Sequence, residues 1–226
     1  MFIGHFGLAF AAKRAAPAVS LGWLMLAAQF IDLLWPSLLM LGIERVRIAP
    51  GATAVTPLAF EHYPWSHSLA MVALWAVVVG GLWLWRRKDR RGALVLALLV
   101  LSHWLLDAIV HAPDLPLAPG GTARIGLGLW DSVAASQTLE VALLALGVGL
   151  YARSTQALDA TGRWALWALI ALLLLIQFAN VAGPPPPSVP ALAWVGQLQW
   201  LLVLWGGWID SHRALAGSPL QAEAGA

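Results

Sequence analysis

The chain contains no cysteine. That excludes disulfides, thiolate metal sites and cysteine nucleophiles. Charge is scarce too. Only 11% of the 226 residues are Asp, Glu, Lys or Arg, against about 25% in an average soluble domain. Hydrophobic residues make up 60% of the chain and fall in long runs, which reads as a polytopic membrane protein. The net charge of +2 is small, and the basic residues sit in short loops. They describe topology rather than nucleic-acid binding. The first residues, MFIGHFGLAFAAKRAA, place apolar residues before positive ones, the reverse of a cleaved signal peptide. No internal repeat is visible.

The hydrophobic runs predict an all-α polytopic protein with about six transmembrane helices, near residues 19–42, 68–85, 92–111, 136–151, 164–182 and 191–209. Each approaches the ~20 residues that cross a bilayer core. One membrane domain then covers 1–215, with a disordered tail over 216–226. Residues 1–14 are apolar but too short to span, so they form an interfacial or a re-entrant helix.

Lys13 and Arg14, the run RRKDRR at 86–91, Arg153, Arg163 and Arg213 all fall on one side when both termini are cytoplasmic. The positive-inside rule favours that arrangement. Arg45, Arg47 and Arg124 are minority charges on the outer side, where GPPPPSVP at 183–190 reads as a stiff linker.

Against this apolar background a few polar residues stand out. His103, Asp107 and His111 are four apart, which places them on one helical stripe within LVLSHWLLDAIVHAPD. Ionisable groups inside a span are costly and face a bundle interior or a water-filled cavity. Asp32 sits inside the first span. Pro36, four residues later, cannot donate to its carbonyl and opens the helix locally. His62 and His67 flank Pro64 in FEHYPWSHS, and Ser66 or Ser68 is placed to cap the following helix. Imidazole and carboxylate converging in one half of the membrane make a candidate site for a divalent metal, with zinc the first choice. Glu140, a turn inside the fourth span, is either a buried hydrogen-bonded group or a general base, and Ser132 or Ser136 caps that helix.

With those residues identified, the chain resembles the bacterial membrane-bound metal-dependent hydrolases, the LexA-regulated inner-membrane group. The resemblance rests on His5 in GHFG, Asp32 in QFIDLLWP, His67 in SHS, and His103 with Asp107 in HWLLD, all in the first half of the chain. Where that family often has a second acidic residue in the first-span motif, this chain has Phe30. The resemblance implies a metal-dependent hydrolase of the inner membrane. If His5 is a ligand, residues 1–14 are re-entrant, because an interfacial helix could not deliver it.

The resulting expectation is a zinc ion held by His67, His103 and Asp107, with His5, Asp32, His62 or His111 as further ligands. Asp32 or Glu140 serves as general base on a metal-activated water. The substrate is expected to be lipid-like, an ester or phosphodiester. Two rivals use the same polar cluster: a metal-ion or proton transporter, and a membrane protein in which the cluster only fixes helix packing.

Overall fold

The structure is a computed structural model that describes residues 1–217. The part of the expected tail from 218 onward lies outside the described residues. Among the described residues the architecture is an all-α polytopic bundle with short two-stranded ribbons at its ends. In chain order the first helices are α1 (Ile3–Ala15), α2 (Leu21–Ala28) and α3 (Phe30–Met40). The hairpin β1 (Arg45–Ile48) and β2 (Leu58–His62) follows, then α4 (Pro64–His67), α5 (Leu69–Arg87) and α6 (Arg90–Val110). A small ribbon, β3 (Leu115–Pro116) and β4 (Arg124–Ile125), precedes α7 (Val133–Ser154). The chain ends with β5 (Thr155–Ala157), α8 (Ala160–Ala182), α9 (Val189–Gln197), α10 (Gln199–Ser211) and β6 (Arg213–Leu215).

Helices α5, α6, α7 and α8 and the pair α9–α10 are each long and apolar enough to cross a membrane. The pair α2–α3 makes a sixth when counted as one broken span, bent by 57°. The bundle's outer surface is apolar. Val77, Leu146, Leu175 and Leu201 are all more than half exposed, a surface suited to hydrocarbon rather than water.

Local chemistry sets the helix starts. Ser68, Asp89, Ser132, Asp159 and Ser188 each accept a backbone N–H from the first turn of α5, α6, α7, α8 and α9. Of the two serines open as caps for α7, Ser132 does it. Lys88 adopts φ +56 and closes the tight α5–α6 connection. Asp159 also accepts from His212 at 2.6 Å, and these two bonds, Gly162 N–H first, hold its carboxyl below the usual range. β5 pairs with β6, so the α7–α8 connection and the end of α10 lie at one end of the bundle.

Helix α1 spans about 20 Å at 1.5 Å per residue, too short to cross a bilayer. It is buried within the bundle, with Ile3, Phe6, Ala9 and Phe10 inaccessible. It lies against α7, where Gly7 and Gly147 meet backbone to backbone; a Cβ on either would overlap the other helix. Its far end is tied by Lys13, which donates to Asp210 at 2.7 Å and to the Val19 carbonyl at 3.0 Å. An interfacial helix would keep one face free. This one enters the bundle, as a re-entrant segment must.

The bend at α2–α3 falls at Gln29, ahead of the Pro36 to which the sequence pointed. Pro36 lies within α3.

Two outcomes test this fold. Gly147→Leu should lower unfolding stability in detergent by about 1–3 kcal/mol or more, because the α1–α7 backbones cannot separate without loss of packing; unchanged stability would contradict the close approach. In the cysteine-free chain, a membrane-impermeant maleimide applied to sealed vesicles should label one but not both of Ala52→Cys and Gln156→Cys, since the two positions lie at opposite ends of the bundle.

Candidate metal centre

The polar residues that the sequence scatters over 100 positions meet at one point. α6 carries His103 and Asp107 on its buried face, with His103 wholly inaccessible and Asp107 2% exposed. α3 brings Asp32, α4 brings His67 and α1 brings His5. His103 Nε2 lies 3.2 Å from Asp107 Oδ2 and 3.6 Å from Asp32 Oδ1. His67 Nε2 lies 3.5 Å from Asp32 Oδ1 and 3.9 Å from Asp107 Oδ2. On the other side of the carboxylate, Asp107 Oδ1 meets His5 Nε2 at 3.2 Å and the Met1 nitrogen at 2.8 Å. The His5 and His103 rings stack 3.7 Å apart and nearly parallel.

Two overlapping groups can therefore hold a metal ion: His5, His103 and Asp107, or Asp32, His67 and His103. The donor set passes a test of fit. His103 Nδ1 lies 2.7 Å from the Ala28 carbonyl oxygen, which can only accept, so the ring proton sits on Nδ1. In the neutral ring the Nε2 lone pair then points at carboxylate oxygens, and this buried atom has no hydrogen-bond partner. Acceptors facing acceptors repel unless a cation lies between them. For a tetrahedral ion with bonds of about 2.0–2.1 Å, neighbouring donors are about 3.3–3.4 Å apart. The four distances among Asp32, His67, His103 and Asp107, 3.2–3.9 Å, bracket that edge.

The bend at Gln29 matters here. The last carbonyls of a helix lack intrahelical partners, and Ala28, the final residue of α2, offers one to His103. This fixes the ring's tautomer and aim. His67 Nδ1 is similarly engaged, at 2.7 Å from Ser66 Oγ.

The remaining expected residues lie elsewhere. His62 is in β2, opposite Arg45, and belongs to neither group. It ends β2, whereas His67 ends the short helix α4 that begins at Pro64. His111 is the C-cap of α6. Its Nδ1 lies 2.9 Å from Asp114 Oδ1, which also accepts from the Tyr63 hydroxyl, and its ring packs against Trp130. It lines the approach to the site without joining either group. Glu140 Oε2 accepts the backbone N–H groups of Phe2 and Gly4, at 2.9 and 3.2 Å. It caps α1 from a neighbouring helix and so holds His5 in place.

Above the cluster is a cavity of about 630 Å³. Asp32, His67, Asp107 and Glu140 face into it, Trp35, Phe60 and Trp130 line its walls, and residues 50–57 and Pro184–Pro187 form its rim. The proline run expected as an outer linker thus borders the entrance. Asp32, 20% exposed at its side chain, is the most accessible member of the cluster.

Glu44, which accepts from the Ser66 hydroxyl at 2.6 Å, Ser66 as a hydrogen-bond partner and the Ala28 carbonyl were not legible as site components. The first is one acidic residue beside two arginines in a connecting loop. The second reads as a helix cap, and the third depends on a bend that no residue type announces.

Comparison with known protein families, with curated proteins and with solved structures finds no match for this chain. Fold and site define a helical membrane-type protein with a buried His/Asp group able to hold a metal ion.

Protein purified without chelators should carry a divalent metal by elemental analysis. His103→Ala and Asp107→Ala should lose it, while His62→Ala retains it. A metal-free wild type would mean that protonated imidazoles relieve the repulsion, and would overturn the metal centre.

Proposed function

We propose that the protein is a membrane-embedded, metal-dependent hydrolase acting on a lipid-like ester or phosphodiester. The observation that carries this reading is the convergence of imidazole nitrogens and carboxylate oxygens at the floor of a cavity. His67, His103 and Asp107 would hold the ion, zinc being the best fit to two imidazoles and a carboxylate. When bound, such an ion supplies Lewis acidity and brings the pKa of water close to neutral. Asp32, which faces the cavity, would serve as the general base toward a water there. Glu140 orders the start of α1, and His5 braces the outer oxygen of Asp107.

The cavity supports an amphipathic substrate. Its floor is polar, its walls are aromatic, and it reaches Val195 on α9, which is 63% exposed on the apolar outer surface. A substrate can present its polar group to Asp32 and leave its chain in the lipid. A transit path for ions fits less well. Beyond His5 the same helix buries Phe6, Ala9 and Phe10 completely, an apolar stretch with no polar group to pass an ion along. In this reading the protein sits in a bacterial inner membrane with Lys13, the RRKDRR connection and the end of α10 on the cytoplasmic side and the cavity opening outward, while Met1 lies inside the bundle against Asp107.

In lipid nanodiscs, hydrolysis of a panel of lipid esters and phosphodiesters should be abolished by chelation and restored by zinc. Asp32→Asn should lower the rate by about 10²–10⁴-fold while retaining metal. Stoichiometric metal without turnover of any panel member would remove the hydrolase reading in favour of a binding or transport role.

A further inference from the structure

Glu44 is one of the most deeply buried charged residues in the chain, 1% exposed, and it lies outside the cluster just described. It follows α3 in the connection to β1. Oε1 accepts the backbone N–H groups of Trp65 and Ser66, both at 2.8 Å, and so anchors the first turn of α4. Oε2 is 2.6 Å from Ser66 Oγ. The Ser66 hydroxyl in turn lies 2.7 Å from His67 Nδ1.

The direction of these bonds follows from what each group can do. A carboxylate only accepts, so the single Ser66 proton is given to Glu44. The hydroxyl oxygen then has lone pairs left for His67, and the 2.7 Å contact requires a proton on His67 Nδ1. The neutral imidazole carries one proton, so Nε2 bears a lone pair. That nitrogen is the one directed at Asp32 and Asp107.

We propose that Glu44 is a positioning residue that sets the tautomer of His67 through Ser66, holding its Nε2 ready as a metal ligand. His103 obtains the same tautomer from the Ala28 carbonyl, a fixed backbone acceptor. His67 has no such carbonyl and depends on a side-chain relay that reaches back to a buried acid 23 residues earlier in the chain. The consequence for metal binding rests on the metal-centre reading, whereas the tautomer assignment does not.

The relay makes an asymmetric prediction for Glu44→Gln. The two backbone N–H groups force the amide oxygen into the Oε1 position. The amide NH₂ then occupies the place of Oε2 and donates to Ser66 Oγ. The hydroxyl proton is released to bond His67 Nδ1, which must become the acceptor, and the ring proton moves to Nε2, where it blocks a metal. A nearly isosteric change that preserves local packing thus inverts the ligand. Ser66→Ala removes the relay without imposing the wrong tautomer, so its effect should be smaller.

The test uses protein labelled with ¹⁵N in its six histidines, with His67 assigned by His67→Gln. Wild type should show His67 protonated on Nδ1. In Glu44→Gln that signal should move to the Nε2-protonated form while the other five histidines stay unchanged, which reports an intact fold. Ser66→Ala should give a mixture, and it carries the test alone if Glu44→Gln does not fold. Cobalt affinity, read from visible d–d bands under chelator competition, should fall by about 10–100-fold in Glu44→Gln, the effect of losing a ligand's hydrogen-bond partner. Correct tautomers in a wild type that binds no metal would uphold the relay and remove the metal centre. An Nδ1-protonated His67 in both variants, with cobalt affinity unchanged, would overturn the relay.

Discussion

Asp107 is the group on which the metal-centre end of this bundle depends. Its two oxygens are met by nitrogens from three separate helices and the chain's first residue. A buried carboxylate that loses its partners costs about 3–5 kcal/mol, so the segments that supply those nitrogens are tied to α6. That tie explains why a 13-residue helix too short to span is drawn into the bundle. It also explains why glycines are needed where it meets α7, since the helix can reach Asp107 only if the backbones touch.

Around this centre the structure repeats one device at different scales. Several groups at this end of the bundle are held by a polar partner behind them. The Ala28 carbonyl stands behind His103, Ser66 and Glu44 behind His67, and Glu140 behind the first turn of α1. The bend between α2 and α3 belongs to the same logic. It breaks a span at a cost in helical hydrogen bonds, frees a carbonyl for His103, and turns Asp32 toward the cavity. In a low-dielectric interior such bonds are strong, and a missing one is expensive.

The cavity and the centre are built from different parts of the chain. The cluster comes from residues 5–107, whereas much of the cavity rim comes from 179–195 and the 50–57 loop. The first part supplies donor chemistry on rigid helices. The second supplies shape and an edge on the apolar outer surface. A protein organised this way can keep one polar centre while its loops determine what reaches it.

Much of this was legible in residue order alone. Long apolar runs with little charge determined an all-α membrane-type fold, because only helices satisfy every backbone group without water. The four-residue spacing of His103 and Asp107 determined that they share a face, because the helical period is 3.6. The same spacing also nominated His111, and proximity in sequence nominated His62, yet neither joins the cluster. One lies past the helix end and bonds Asp114; the other belongs to a strand. Periodicity says which way a residue faces within an element but not where the element stops or what it meets. The position of the bend, the burial of α1 and the recruitment of Glu44 were decided only by tertiary structure. Each depends on contacts between segments far apart in the chain, and no local pattern of residues encodes them.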